Sequence, residues 1–301
     1  MNNESFFKAI KNHFPASEYK NWRKLSSTRN TVYSADINGK KHIVKFYNKK
    51  EYNTMNIEYN SIMHSTGPLN VTETPLDEII INDTEYCYKI YSYIEGTPLS
   101  FTYDDFYELG FSIGTLQKQW VNKPKPDWLP YLTLNELIDK PLLSLKAVLN
   151  EAMYNVVYNY STRVKSLLKD SCNPENLGFC HGDSHLLNSV KTTDYGVVLF
   201  DYEDSCYSFP VYDLATAIWG TFSSECDEDV WHGAAAGYLE GLSPYTQELS
   251  LLPYLIFARH LWWMGLHADN MNKWQLYRDY NVFFNSSYEL LVTIATDLCC
   301  L

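Results

Sequence analysis

Two neighbouring stretches carry residue types that together could do chemistry. The first, Phe179-Cys180-His181-Gly182-Asp183-Ser184-His185-Leu186-Leu187-Asn188, sets two histidines, an aspartate and an asparagine close in sequence. The second is a hydrophobic run, Val197-Val198-Leu199-Phe200, that ends in Asp201-Tyr202-Glu203-Asp204. Phosphoryl transfer asks chiefly for positioning and charge neutralisation: an acid beside the attacking hydroxyl, and oxygen ligands for Mg²⁺. Asp183 can orient a hydroxyl and accept its proton, while Asn188 and Asp201 offer the hard oxygen atoms that Mg²⁺ prefers. His181 reads as a structural member of the loop, because Asp183 has the better spacing for the base. His185 reads either as a contact to substrate or phosphate or as a packed or solvated histidine. Glu203 and Asp204 are metal-supporting or substrate-contacting acids on one reading and exposed loop acids on the other. An isolated aspartate is usually a loop or capping residue, so the chemical reading rests on the linked set.

The elements that must position these residues fall into two groups. Phe6, Phe7, Ile10 and Phe14 recur at helical spacing. Thr31–Ile37 and His42–Phe46 are β-rich runs about Asn38-Gly39, a strong two-residue hairpin signal. Met55, Tyr59, Ile62 and Met63 mark a helix from about Lys50 to His64, and Ile79–Ile81 with Glu85–Ile94 read as strands joined at Asn82-Asp83. After Glu95-Gly96-Thr97-Pro98 the pattern turns helical: Phe106, Leu109, Ile113, Leu116 and Trp120 share one face. Further helical patterns run from Leu134 to Leu168 and resume after a β-like island, Gly178 to Phe200. The reading is a strand-rich lobe, a connector and a larger helical lobe, with a cleft expected between them.

The motifs match a known pattern. His181-Gly182-Asp183 with Asn188 five residues beyond Asp183, followed by Asp201, resembles the catalytic loop and metal motif of the aminoglycoside phosphotransferases. The same pattern runs through choline, homoserine and fructosamine kinases and the stress-response Ser/Thr kinase of that superfamily. Val211-Tyr212-Asp213-Leu214-Ala215 resembles the family's downstream aspartate segment, which implies that Asp213 buttresses the catalytic loop. The resemblance covers nearly the whole chain in order. It implies an α+β, protein-kinase-like fold: a small N-terminal antiparallel β lobe that binds nucleotide, residues 1–94, and a larger, mainly helical C-terminal lobe, residues 95–301, with the catalytic loop and acceptor site. It implies ATP and Mg²⁺ as cofactors, with Lys45, mid-strand in Ile43-Val44-Lys45-Phe46, on the α/β-phosphates. Glu58 is the expected partner of Lys45, with Glu51 as the competitor. The segment Tyr91–Gly96 resembles the hinge, where adenine meets backbone groups near Ser92 and Ile94. Ser26-Ser27-Thr28-Arg29-Asn30 stands where a phosphate-covering loop is expected, which puts Ser27 near the nucleotide; unlike the family pattern, it has no glycine. Gln117 stands where the family often has histidine, and Leu187 where glycine often precedes the asparagine.

Composition bounds the partners. The chain has 301 residues, with 24 Lys+Arg against 36 Asp+Glu, a formal net charge of −12. That balance argues against nucleic acid or an anionic membrane as the main partner. The seven cysteines include no CxxC pair and suit a reducing, cytoplasmic setting. The first residues show no basic region followed by an apolar run, so no secretory signal is read. The most apolar stretch, Leu251 to Leu266, contains Arg259 and His260 and reads as a buried helix. Trp219, Trp231, Trp262 and Trp263 suit either the core or, through cation–π attraction, a cationic acceptor. Glu225, Asp227, Glu228 and Asp229 read as a solvated helix start or as acids that attract such an acceptor. The expected acceptor is the hydroxyl of a small molecule that is aminoglycoside-, choline- or homoserine-like; the alternatives are a protein Ser/Thr hydroxyl or an inactive nucleotide-binding scaffold.

Overall fold

The computed structural model describes residues 3–13, 17–26, 29–68, 71–72, 79–81, 84–222, 227–245, 249–274 and 276–300. These form two compact units: residues 1–96 with 200–204, and residues 97–199 with 205–301. The sequence reading divides the chain at residue 94 and places Phe200–Asp204 with the helices. The structure instead packs these five residues with the first unit, where Lys45 and Arg29 hold their acids.

The first unit contains α1 (Asn3–His13), β1 (Tyr19–Ser26), β2 (Thr31–Ile37), β3 (Lys40–Asn48), α2 (Tyr52–His64), β4 (Val71–Thr72), β5 (Ile79–Ile81) and β6 (Thr84–Ser92). Its sheet is antiparallel in the order β1-β2-β3-β6-β4, with β5 also on β6. The hairpin β2–β3 turns on Asn38 and Gly39, both at positive φ (51° and 78°), as a two-residue turn matched to strand twist requires. Alternation along β3 divides its side chains between the two faces. Val44 and Phe46 join Phe6 and Ile10 of α1, Tyr33, Tyr86, Tyr88 and Ile90 in one buried cluster. Tyr47 packs with Met55 of α2 and Cys87 in another. Lys45, two residues before Tyr47, shares its face. The proposed turn at Asn82-Asp83 lies outside the described residues.

The second unit runs α3 (Tyr103–Lys118), α4 (Lys140–Leu145), α5 (Glu151–Leu168), β7 (Gly178–Cys180), β8 (Ser189–Thr192), β9 (Gly196–Leu199), β10 (Cys206–Ser208), α6 (Val211–Trp219), α7 (Asp229–Leu242), α8 (Leu252–Trp274) and α9 (Tyr280–Thr293). Helix α3 begins at Thr102, whose side chain accepts from the Asp105 amide, one of the otherwise orphaned donors of the first turn. Its face of Phe106, Leu109, Ile113 and Leu116 is buried. Glycines bring α3 and α7 into backbone contact: a Cβ on Gly110 would stand 2.0 Å from the Ala234 carbonyl oxygen, and one on Gly237 1.9 Å from that of Tyr107. Helix α6 is buried on all sides through Ile218 and carries Asp213 into the interior. The short strands β7 and β10 pair, as do β8 and β9, and between β7 and β8 lies the loop holding Asp183.

Candidate active site

In the first unit, buried Lys45 is the centre of an acidic cluster. Its Nζ lies 2.9 Å from Glu58 Oε2, 2.5 Å from Asp201 Oδ1 and 2.8 Å from Glu203 Oε2. Glu58, on the buried face of α2, also accepts from the Tyr47 hydroxyl, which meets that of Tyr91 at 2.8 Å. Of the two glutamates weighed for Lys45, Glu58 is the one in contact with it; Glu51 stands just before α2. Burial alone would lower the Lys45 pKa, but Asp201, Glu203 and Glu58 hold it well above the usual lysine value. Burial pushes Glu203 up to about 7, against the attraction of Lys45 and Arg29. Glu58 is likewise raised by burial, with Lys45 opposing. Asp201 has φ 66°, a left-handed conformation that aspartate tolerates better than most residues.

Arg29 bonds Asp204 at 2.8 Å and Glu203 at 3.3 Å, and the Asn30 amide donates to Glu203. Glu203 and Asp204 are thus engaged with cations rather than standing as free loop acids. The cluster holds four carboxylates, Glu58, Asp201, Glu203 and Asp204, against two cations, Lys45 and Arg29. Oxygen atoms of Glu58, Asp201 and Glu203 lie within 4.8 Å of one another. These three acids are gathered around the Lys45 ammonium, and oxygen is the donor type that a hard divalent cation such as Mg²⁺ prefers.

In the second unit, Asp183 sits on a loop built from behind. Gly182 takes φ 85°, a conformation open to glycine, at the bend before it. The Asp213 carboxylate accepts from the amides of His181 (2.8 Å) and Gly182 (2.9 Å) and from Gln117 Nε2 (3.0 Å). Ser184 Oγ donates to the Asp213 carbonyl oxygen at 2.8 Å. Gln117 Nε2 also donates to the Pro210 carbonyl, and the Tyr238 hydroxyl donates to Gln117 Oε1. The glutamine that replaces the family's histidine is therefore a structural tie between α3, α6 and α7. Burial raises the Asp213 pKa, with His181 and the loop amides opposing. His181 is fully buried and its Nδ1 accepts from the Asp183 amide.

Both oxygens of Asp183 are engaged. Oδ2 accepts from Asn188 Nδ2 at 2.7 Å, and His185 Nε2 lies 3.4 Å away. Oδ1 accepts from Arg259 Nη2 at 2.5 Å. Burial opposes ionisation of Asp183, but Arg259, His185 and His181 hold its carboxyl well below the usual carboxylate range. Asn188 spends its amide nitrogen on Asp183, where it also reaches the carbonyl at 3.0 Å. Its amide oxygen is thereby the atom it has to offer a cation. His185 Nδ1 accepts from the Leu187 amide, so the ring packs on its own loop.

Arg259 is the residue that sequence reasoning missed. The available signal was a charged side chain within an apolar helix, which must find a partner when buried. Trp219 and Trp262 flank its guanidinium, while Trp231 donates to Thr221 Oγ1 and Trp263 packs on Phe283. Asp227, Glu228 and Asp229 are exposed at the start of α7; Glu225 and the proposed nucleotide residue Ser27 lie outside the described residues. Ser92 ends β6 opposite His42, and Ile94 follows in the half-buried segment beyond the strand. A cavity of about 510 Å³ lined by Gln117, Trp120, Phe179, Tyr207 and Pro210 includes none of Asp183, Asn188 or Arg259 in its lining.

Comparison with solved structures establishes the protein-kinase-like fold. An amicoumacin kinase in complex with AMP-PNP, Ca²⁺ and Ami superposes with a TM-score of 0.71 and 15% identity, covering 98% of this chain and 96% of that one. The choline kinase LicA from Streptococcus pneumoniae gives a TM-score of 0.71 and 18% identity, covering 97% and 99%. The choline kinase from Cryptosporidium parvum gives 0.66 and 13%, covering 93% and 90%. An uncharacterized protein of Deinococcus radiodurans is 30% identical over 143 residues, 46% of this chain and 42% of that protein, so the match spans less than half of that relative. No described helix is long and apolar enough to cross a membrane. The model of the phosphotransferase enzyme family, APH, matches residues 22–249, and over that span lie Lys45, the Asp183 loop, Asp201 and Asp213: the chain belongs to this family of phosphotransferases.

Proposed function

We propose that the protein transfers the γ-phosphate of ATP, as its Mg²⁺ complex, to a hydroxyl group of a small molecule. The observation that carries this reading is Asp183: a carboxylate kept ionised by Arg259, fixed by Asn188, on a loop anchored to Asp213. A carboxylate so held can accept a hydrogen bond from an acceptor hydroxyl, align its oxygen for in-line attack and take its proton as the new P–O bond forms. Lys45, positioned by Glu58, is the cation for the nucleotide's phosphates. Asp201 and the amide oxygen of Asn188 are the ligands for Mg²⁺, which when bound neutralises phosphate charge; Glu203 and Asp204 support that charge balance. Backbone groups near Ser92 and Ile94 take the adenine, and Ser27 stands in the loop assigned to the phosphates.

The compared kinases are named for amicoumacin and choline, which favours a small-molecule acceptor over a protein hydroxyl. None of the six described cysteines is in a disulfide, in keeping with a cytoplasmic setting. The test is ADP release from Mg·ATP with a panel of hydroxyl compounds, including aminoglycosides, choline, homoserine and a hydroxy acid. One acceptor should stimulate release, and Asp183→Asn should abolish the stimulation while nucleotide affinity stays within about threefold. Undiminished turnover in Asp183→Asn would overturn the reading.

A further inference from the structure

We infer that Arg259 is a positioning residue for Asp183, and that Trp219 and Trp262 are the socket of its guanidinium rather than a cage for an acceptor's ammonium group. The inference rests on the proposed role of Asp183, and its own evidence is geometric. Arg259 lies in α8 and is 3% exposed. Its Nη2 donates to Asp183 Oδ1 at 2.5 Å, and its Nη1 reaches the Gly182 carbonyl at 3.3 Å and the Tyr212 hydroxyl at 3.4 Å. The guanidinium carbon stands 4.8 Å from the Trp219 ring centroid and 4.7 Å from that of Trp262.

A planar guanidinium can stack on indoles and still bond in its own plane, which an ammonium cannot. The two rings thus fix the plane of the fork, and the fork fixes both the Asp183 carboxylate and the Gly182 carbonyl at the bend before it. This arrangement answers an electrostatic need. A carboxylate that works beside transferring phosphate meets like charge, and a buried cation on its far oxygen offsets that repulsion. It also decides between the two sequence readings of these tryptophans. The ring faces turned towards Arg259 already carry a cation, so a second positive charge between the two indoles would meet repulsion as well as a filled site. An acceptor with a cationic group must be recognised outside the space between these two rings, and acceptors neutral or anionic next to the reacting hydroxyl meet no such obstacle.

Chemical rescue separates positioning from mere structure. The full-length protein, Arg259→Ala and Arg259→Ala/Asp183→Asn are titrated with methylguanidinium and tetramethylammonium, followed by calorimetry and tryptophan fluorescence. Wild type should bind neither cation in the millimolar range. Arg259→Ala should bind methylguanidinium, and the double variant should bind it at least about tenfold more weakly. In parallel, ADP release from Mg·ATP with water as acceptor should lose at least about tenfold in kcat in Arg259→Ala, with the ATP KM little changed. Methylguanidinium should restore part of that loss, and tetramethylammonium, which has no N–H, none. Equal rescue by both cations, absence of methylguanidinium binding by a folded Arg259→Ala, or saturable tetramethylammonium binding by wild type with quenching of tryptophan emission would overturn the inference. Where Arg259→Ala does not fold, Arg259→Lys keeps the charge without the fork: a reduced kcat at constant KM is expected, and an unchanged kcat overturns it. The binding arms need no turnover. Asp183-dependent methylguanidinium binding in a protein that never releases ADP would uphold the pairing while removing the phosphotransferase reading.

Discussion

His260, next to Arg259 in α8, shows how a single protonation state is written into the packing. Trp219 Nε1–H donates to its Nδ1 at 3.0 Å, so the proton lies on Nε2, which donates to the Ser287 carbonyl at 2.8 Å. The ring is buried and neutral. Burial lowers its pKa from 6.5 to about 4; the Ser287 carbonyl opposes this and the Arg259 charge adds to it. Between these two values the unfolded chain binds a proton that the folded chain refuses, so stability rises with pH across that window. A shift of this size corresponds to about 3 kcal/mol, present in full above pH 6.5 and lost as the pH falls towards 4. Denaturant unfolding between pH 4 and 7 should therefore show a rise in wild type that is shallower in His260→Gln by about that amount, with a lower stability at neutral pH. Identical pH slopes in the two proteins would refute the assignment. The same neighbourhood shows where sequence reading stops at residue scale. Asp183, Asn188 and Asp213 are legible because they lie in short motifs. Arg259 is far from Asp183 in sequence, and its pairing depends on how α8 crosses the loop, which no local spacing encodes.

At the scale of elements, the pair α3–α7 rests on glycine. Gly110 and Gly114 on α3 face Gly233, Gly237 and Gly241 on α7, at positions where a Cβ would meet backbone atoms of the other helix or of Tyr103 just at its start. Backbones packed this closely cannot part locally without disturbing Gln117 and Tyr238, which link the same helices to Asp213. Gly237→Ala should therefore cost about 3 kcal/mol, at the upper end of ordinary overpacking, despite the higher helix propensity of alanine. Chemical denaturation measures this, and a stability equal to or above wild type would show that the helices move apart freely. The apolar face of α3 is legible from periodicity, and strands β2, β3 and β6 are legible as β-rich runs, each with consecutive buried residues. The glycine contact is not, because a residue without a side chain contributes nothing to an apolar period. Strand β1 is missed for a different reason. Its register shifts between Lys20 and Arg23, where Asn21 takes φ 53°, so the half-buried residues Tyr19, Trp22 and Lys24 break the two-residue alternation. Its exposed Lys20 and Arg23 are the charges expected on an edge strand.

For the molecule as a whole, the net charge of −12 takes on local meaning in the first unit. There Glu58, Asp201, Glu203 and Asp204 outnumber Lys45 and Arg29, in a cluster that runs from buried Glu58 to partly exposed Asp201 and Asp204. Carboxylates crowded together are destabilising until a cation joins them, so the empty protein should be less stable than the loaded one. A ligand that binds the folded state alone at about a hundred times its Kd adds about 2.7 kcal/mol, or on the order of 5 °C in a chain of this size. Thermal unfolding with Mg²⁺ and the non-hydrolysable analogue AMP-PNP should show that shift, and the analogue with EDTA should show little of it. Asp183→Asn should keep the shift, because Asp183 is assigned to the acceptor. Asp201→Ala should lose most of it, while its own unliganded melting temperature stays level or rises as one carboxylate leaves the excess. A full shift in Asp201→Ala would show that the divalent cation binds without this residue, and the four-acid cluster would then need another role.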